Sequence, residues 1–156
     1  MSKTTRATQA LTRAGISHSV HVYDYDPEAT RIGLQAAEAI GVPPGEVFKT
    51  LMAAVDGKPV CVLAPSDREV SLKKLAAAFK GKSAAMMRPA DAERLTGYHV
   101  GGISPLGQKR AVPTLVDASA LSLPEIFVNG GQRGLQVRVK PEDLVRVLQA
   151  RTEAVT

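Results

Sequence analysis

A chain of 156 residues that is 44% hydrophobic and 22% charged has the length and composition of one compact globular domain, spanning residues 1–156. Lysine and arginine outnumber aspartate and glutamate by 20 to 15, a surplus that favours a polyanionic partner. One cysteine excludes a disulfide framework, and no apolar run reaches the roughly 18 residues of a membrane helix, so we expect a soluble, cytoplasmic protein.

In the first half of the chain, hydrophobic periodicity predicts two helices and three strands. The helices cover residues 4–14 and 33–40, and the strands cover 17–23, 47–55 and 59–63. The last two strands flank Asp56-Gly57, a dipeptide that is a strong signal for a tight hairpin turn.

The second half of the chain continues this alternation of helices and short strands. Helices are predicted over 70–79, 89–95 and 141–150, strands over 83–87, 113–116, 125–128 and 135–139, and an irregular glycine-rich segment over 96–109. Helices interspersed with hairpin-forming strands predict an α+β domain around a mixed sheet rather than a regular βαβ winding.

Several sequence motifs of well-known enzyme classes are missing. The chain contains no Walker-type phosphate loop, no GxGxxG after a strand, no HExxH and no GxSxG. Their absence argues against a nucleotide hydrolase, a Rossmann dehydrogenase, a zinc protease and an α/β-hydrolase. Cys61 lies in an apolar strand, where we expect a buried, unreactive thiol. The three histidines lack metal-ligand spacing, so we expect neither a metal nor an organic cofactor.

Lys49 is the first residue that ordinary packing does not explain. It shares a predicted strand face with Val47, Leu51 and Ala53, all of which are apolar. A lysine in this position could protect a sheet edge from aggregation. It could equally hold its ammonium in a pocket that binds an anion. The residues alone leave both alternatives open.

The segment 97–107 is unusually rich in glycine, with four glycines and one proline in eleven residues. Such a loop can direct backbone N–H groups at a carbonyl oxygen or a phosphate, as acyl-transfer chemistry requires. The alternative is a tight loop that closes a curved sheet. A second glycine cluster, 129–134, links two predicted strands and is interpreted as a hairpin turn that could line the same cleft.

Three segments together carry a resemblance to a known family. FKTL at 48–51, GGISPLGQK at 101–109 and GGQRGL at 130–135 resemble YbaK-type aminoacyl-tRNA deacylases, relatives of the editing domain inserted in bacterial prolyl-tRNA synthetases. The match runs nearly end to end, and the first two segments are specific in combination. The resemblance implies a single editing domain with a mixed, curved, barrel-like sheet flanked by helices.

The resemblance also implies an activity, which is the removal of cysteine from mischarged tRNA(Pro) in trans. In this branch the substrate's own thiol attacks its ester carbonyl, so the protein needs no nucleophile and no cofactor. The implied partners are the acceptor end of tRNA(Pro) carrying the wrong amino acid and prolyl-tRNA synthetase, and we expect a monomer.

Site residues follow from the resemblance, position by position. Lys49 would anchor the phosphate of the 3′-terminal adenosine, and the backbone of Gly101, Gly102 and Ile103 would hold the aminoacyl carbonyl and the ribose. The remaining implied pocket residues are Tyr23, Phe48, Thr50, Ser104, Pro105 and Asn129.

Two positions depart from the family pattern. Asn129 stands where better-known members carry serine, and His99 replaces an aliphatic residue. A changed pocket residue leaves open the deacylation of another mischarged tRNA, such as alanyl-tRNA, by water. A non-catalytic module that binds the tRNA end or a synthetase is the alternative from outside the enzymes.

Overall fold

The computed structural model describes residues 4–28 and 32–156, and for residues 32–33 it describes the backbone only. These described residues form five α-helices and eight β-strands, with two short 3₁₀ turns at Pro44–Glu46 and Ala118–Ser122. In chain order they are α1 (Arg6–Arg13), β1 (Ser19–Val22), α2 (Ile32–Ile40), β2 (Val47–Val55), β3 (Lys58–Pro65), α3 (Leu72–Ala78), β4 (Ala84–Met86), α4 (Pro89–Thr96), β5 (Thr114–Asp117), β6 (Ile126–Gln132), β7 (Leu135–Val139), α5 (Pro141–Leu148) and β8 (Arg151–Glu153).

The strands form one mixed sheet in the order β1-β7-β6-β2-β3-β5-β8, with β4 also paired to β2. The pairs β2–β6, β3–β5 and β5–β8 are parallel, and the other pairs are antiparallel. The predicted α+β fold with a mixed, helix-flanked sheet is confirmed. Among the described strands, β1 and β8 end the path without pairing to each other, so the sheet is open rather than a closed barrel.

Helices pack against both faces of the sheet. Successive side chains of the central strands point to opposite faces, so the same strand contacts both helix layers. On one face, Phe48 of β2 packs in a cluster with Leu11 of α1 and Leu144 of α5. On the other face, Ala53 of β2 packs with Leu75 of α3. This alternation places β2 at the centre of the domain, where its side chains reach both layers of helices.

One edge of β2 is divided between two partner strands. β3 pairs with one edge of β2. The other edge pairs with β6 at residues 47–48 and with β4 at residues 53–55. Among the described residues, no strand pairs with this edge over residues 49–52. The sheet therefore has a gap of four residues beside Lys49, and this gap opens the cavity described below.

Two parts of the sheet differ from the sequence-based expectation. β6 was predicted to end at residue 128, but it continues to Gln132 through both glycines, with an irregular register between Asn129 and Gln132. The three-residue strand β8 was not predicted. Its first and last residues are exposed, so its sequence shows no hydrophobic alternation, and parallel pairing with β5 holds it in the sheet. The remaining predicted elements are confirmed, with bounds shifted by up to two residues.

Candidate functional site

A cavity of about 500 Å³ lies at the gap beside β2, within the range of small-ligand sites. Its walls come from β2, the first turns of α4, the glycine loop at 100–103 and the facing residues of β6 and β7. The lining residues are Val47, Phe48, Lys49, Thr50, Leu51, Met52, Ser66, Glu69, Met86, Met87, Pro89, Ala92, Val100, Gly101, Ile103, Asn129 and Gln136. Mostly apolar walls surround a few polar groups, an arrangement typical of a binding site.

Lys49 is the one cation among the described residues that line this cavity. Its side chain is 22% exposed, and its Nζ lies 3.9 Å from Oε1 of Glu69, a carboxylate that is 85% exposed. β2 lies inside the sheet, with β3 on one edge and β6 and β4 on the other, so Lys49 is not on an outer edge of the sheet. An exposed carboxylate holds its partner only weakly, so the ammonium remains available to an anionic ligand.

The glycine loop is held in place from the side of α4. The Val100 amide donates to Glu93 Oε2 at 2.9 Å, and the Gly102 amide donates to the His99 carbonyl at 2.8 Å. The hydrogen bond from Val100 lowers the pKa of Glu93. His99 itself is 85% exposed beside Glu93, and this departure from the family pattern does not line the cavity.

The β6–β7 hairpin clamps the same loop from the other side. Asn129 Nδ2 donates to the Gly101 carbonyl at 3.2 Å, and Arg133 Nε donates to the Val100 carbonyl at 2.9 Å. The Asn129 Oδ1 accepts from the Gly131 amide at 2.7 Å. Both polar atoms of the Asn129 side chain therefore form hydrogen bonds, Nδ2 to the glycine loop and Oδ1 within the hairpin.

Gly101 and Gly102 both sit where a side chain would collide with a neighbour. Gly101 has φ +91°, and a Cβ added to it would lie 2.7 Å from Tyr25 Oη. A Cβ on Gly102 would lie 2.8 Å from the Arg133 backbone nitrogen. The loop therefore approaches the β6–β7 hairpin closely because these positions are glycine.

The structure brings six of the ten sequence-predicted site residues to the cavity and leaves four outside its lining. The six are Phe48, Lys49, Thr50, Gly101, Ile103 and Asn129. Tyr23 packs instead with Val47 and Phe127 in a hydrophobic cluster. Ser104 is fully buried, with its Oγ accepting from the Leu106 amide at 3.2 Å, and Pro105 is buried next to it. Gly102 faces the backbone of residues 132–133.

Two buried polar atoms in the cavity wall, Thr50 Oγ1 and Gln136 Oε1, make no hydrogen bond of standard geometry to another described residue. The same holds for Tyr23 Oη, although it lies close enough to Gln136 for that side chain to lower the pKa of the phenol. Burial has the larger effect and raises the pKa of Tyr23. The sequence did not predict Gln136 as a cavity residue, because it alternates with core residues of β7. Its position opposite Asn129 in the paired strands is what identifies it as part of the cavity wall. Such atoms are costly unless a ligand or water satisfies them.

Cys61 lies behind the cavity wall and is fully buried. It packs with Met52 and Ala92, and burial raises its pKa to about 12. The thiolate is the reactive form, so at neutral pH this residue is an inert thiol.

We expect this burial to protect Cys61 from thiol reagents. A rise in pKa from 9.0 to about 12 lowers the thiolate fraction roughly 1,000-fold, and burial blocks access as well. A water-soluble thiol reagent should therefore label the folded protein at least about 1,000-fold more slowly than the urea-unfolded chain at the same pH. Rapid labelling of the folded protein would contradict the position of Cys61.

Within residues 4–28 and 32–156, no group of three or more His, Cys, Asp or Glu side chains could hold a metal ion. None of the helices in that part of the chain is long and apolar enough to cross a lipid bilayer.

Comparison with known proteins gives a consistent result. The family described as "Aminoacyl-tRNA editing domain" matches residues 26–147. A protein of Enterococcus faecalis with the provisional name Cys-tRNA(Pro)/Cys-tRNA(Cys) deacylase EbsC is 34% identical, over 99% of this chain and 96% of its own. A proline–tRNA ligase of Acidithiobacillus ferrooxidans is 34% identical over 89 residues, which are 57% of this chain and 16% of the ligase.

Solved structures agree on the fold. A protein provisionally described as a trans-editing enzyme for prolyl tRNA synthetase superposes with a TM-score of 0.81 at 24% identity, covering 97% of this chain and 94% of that one. A hypothetical protein superposes with a TM-score of 0.83 at 24% identity, covering 97% and 99%.

Proposed function

Because the chain belongs to the aminoacyl-tRNA editing domain family, we propose that it is a trans-editing deacylase that removes cysteine from mischarged tRNA(Pro). Residues 1–156 act as one editing domain. The name of the E. faecalis relative supports this substrate, since the two chains align over nearly their whole lengths.

The observation that carries the proposal is the composition of the cavity. It combines one lysine, a glycine loop clamped from two sides and mostly apolar walls, and its lining residues include neither histidine nor cysteine. The Ser66 hydroxyl is engaged, donating to the Val47 carbonyl at 2.6 Å. A site with an anion-binding group and fixed backbone dipoles but no activated nucleophile suits a reaction in which the substrate or water attacks.

The residues take the following roles. Lys49 binds the phosphate of the 3′-terminal adenosine. The backbone of Gly101 and Ile103 holds the aminoacyl carbonyl and stabilises the charge that develops on its oxygen. The amide of Gly102 is bound to His99, so Gly102 contributes by allowing the turn. Phe48, Thr50 and Asn129 form the wall, and Tyr23, Ser104 and Pro105 support it from behind.

The chemical step is intramolecular. The substrate's cysteine sulfur forms a bond to the ester carbonyl carbon, and the bond from that carbon to the ribose oxygen breaks. The thiol proton ends on the ribose oxygen, which gives a thiolactone and free tRNA. The cavity contributes orientation and electrostatic stabilisation, and no cofactor takes part.

The Thr50 hydroxyl in the wall favours a second candidate, which is deacylation of another mischarged tRNA by water. A water in the cavity needs two to four polar partners, and Thr50 Oγ1 is a buried group with no hydrogen-bond partner among the described residues. In this variant of the reaction the amino acid needs no thiol.

The partners follow from the same assignment. The ligand is the acceptor end of tRNA(Pro) carrying the wrong amino acid, and prolyl-tRNA synthetase supplies selectivity for that tRNA. The protein acts as a monomer in the cytoplasm, where aminoacyl-tRNAs are made.

Single-turnover deacylation tests the proposed function directly. We expect rapid loss of cysteine from cysteinyl-tRNA(Pro) and little loss from the alanyl and S-methylcysteinyl esters, because neither has a free thiol. The rate constants are measured with enzyme in excess, against a control without enzyme.

The other outcomes are equally informative. Equal loss of all three esters would favour water as the nucleophile. A clear preference for the alanyl ester would remove cysteine as the substrate. Tight tRNA binding with no deacylation, in the presence of the synthetase as well, would show a binding module.

A further inference from the structure

Exposed basic side chains follow β2 from the cavity towards its hairpin turn. A hollow of about 500 Å³ lies on the other side of α4 and shares Met87 with the cavity. A second hollow of about 450 Å³ shares Pro59 and Arg110 with the first. We call the cations that line these two hollows the basic track: Lys58, Lys80, Arg94, Lys109 and Arg110.

The charge of the basic track is largely uncompensated. Its five cations share the two hollows with two carboxylates, Asp91 and Asp56. Asp91 is paired with Arg88 and Arg94, and Asp56 accepts from the backbone amides of residues 82 and 83. In the described part of the chain, four track cations form no ion pair: Lys58, Lys80, Lys109 and Arg110.

We propose that the basic track binds the phosphates of a tRNA acceptor stem while the aminoacyl end lies in the cavity. This inference rests on the proposed function, because the position of the ester determines where the RNA leaves the cavity. The shared wall at Met87 places the first hollow directly beside that cavity.

The length of the track suits a short duplex. The Met87 amide donates to the Met52 carbonyl at 3.0 Å, and the track reaches Gly57 at the hairpin turn. Three strand steps, about 10 Å, separate Met52 from the last residue of β2, Val55, and the hairpin turn lies beyond it. The track is therefore long enough to contact more than one phosphate of an RNA strand.

Side-chain types favour RNA over a protein partner. Three of the five track cations are lysines, a residue type depleted in protein interfaces. Among the described residues that line the two hollows, Phe79 is the one aromatic, and the Arg151 guanidinium covers its ring at 5.0 Å. The track therefore offers charge for phosphates rather than a stacking platform for bases.

The test uses binding, so it does not depend on ester cleavage. The probe is a fluorescein-labelled RNA hairpin of the tRNA(Pro) acceptor stem that ends in an uncharged CCA. The track variant replaces Lys58, Lys109 and Arg110 with glutamine. The control variant makes the same replacement at Arg13, Lys73 and Lys140, which are exposed and line neither hollow. Each variant loses three cations, so both proteins carry the same net charge. Circular dichroism confirms that both are folded.

We expect the track variant to bind the hairpin at least about tenfold more weakly than the control variant at 50 mM salt. Its slope of log K against log salt should be less steep by about 2 to 3, because three phosphate contacts are lost. Equal weakening in both triple variants, or no weakening in either, would overturn the proposal.

Two further outcomes distinguish RNA binding by the track from binding of a protein partner and from the proposed deacylase function. Loss of binding to prolyl-tRNA synthetase with unchanged hairpin binding would assign the track to a protein and overturn the RNA proposal. Track-dependent hairpin binding by a protein that deacylates no aminoacyl-tRNA would support the track while rejecting the proposed function.

Discussion

Replacing Lys49 with alanine should lower single-turnover deacylation of cysteinyl-tRNA(Pro) by about 100-fold or more, comparable to the loss of one fixed donor to a charged transition state. The ammonium lines the cavity, and among the described residues it pairs only with the exposed Glu69, so the substrate phosphate loses its cation in this variant. The fold should persist, because an exposed ion pair contributes at most about 1 kcal/mol to the free energy of unfolding. Urea unfolding and the rate constant are measured on the same preparations.

Glu69→Gln is the matched control for this variant. It breaks the same 3.9 Å ion pair but leaves the cation, so activity should be retained, and KM should fall slightly because no carboxylate competes with the phosphate. If Lys49→Ala lost activity only in proportion to its unfolded fraction, Lys49 would have a structural role.

Replacing Gly101 with alanine should also reduce deacylation by about 100-fold, through displacement of the loop that holds the carbonyl. Alanine at φ +91° is strained by about 1–2 kcal/mol, and its Cβ would lie 2.7 Å from Tyr25 Oη. Even where the Tyr25 side chain gives way, the positive φ strains the loop backbone, and a shift of roughly 1 Å in a catalytic group is enough for such a loss. Single-turnover rates and urea unfolding are measured together.

Gly15→Ala provides the matched control. Gly15 has φ +71° with no atom of the described residues within 4 Å of an added Cβ, so the variant has similar backbone strain at a position that does not line the cavity. It should lose about 1 kcal/mol of stability and no activity. Adding Tyr25→Phe to Gly101→Ala removes the colliding oxygen and should restore part of the rate. Equal activity in the two alanine variants would show that Gly101 matters only for stability.

Local patterns in the sequence determined most of the secondary structure. The hairpin around Asp56-Gly57 and the alternating core strands 47–55 and 135–139 were predicted because turn chemistry and side-chain alternation act over a few residues. β8 was missed because its stability comes from pairing with β5, more than thirty residues earlier in the chain. A three-residue strand without a hydrophobic face has no local signal.

The resemblance supplied the candidate site as a set of positions, and the tertiary structure divided that set. The gap beside Lys49 exists because β6 and β4 pair with different ends of β2. Strand alternation alone could not place Lys49 in a cavity, since it is compatible with an edge position as well.

By itself, the sequence determined an α+β domain, its central strands, a basic surplus and a glycine loop suited to an acyl site. Only the tertiary structure decided that the Asn129 side chain forms hydrogen bonds to two loops. It also decided that Gln136 lines the cavity and that Tyr23 packs in a hydrophobic cluster instead. These outcomes depend on pairing between residues far apart in the chain, where long-range contacts rather than local propensity set the position of each side chain.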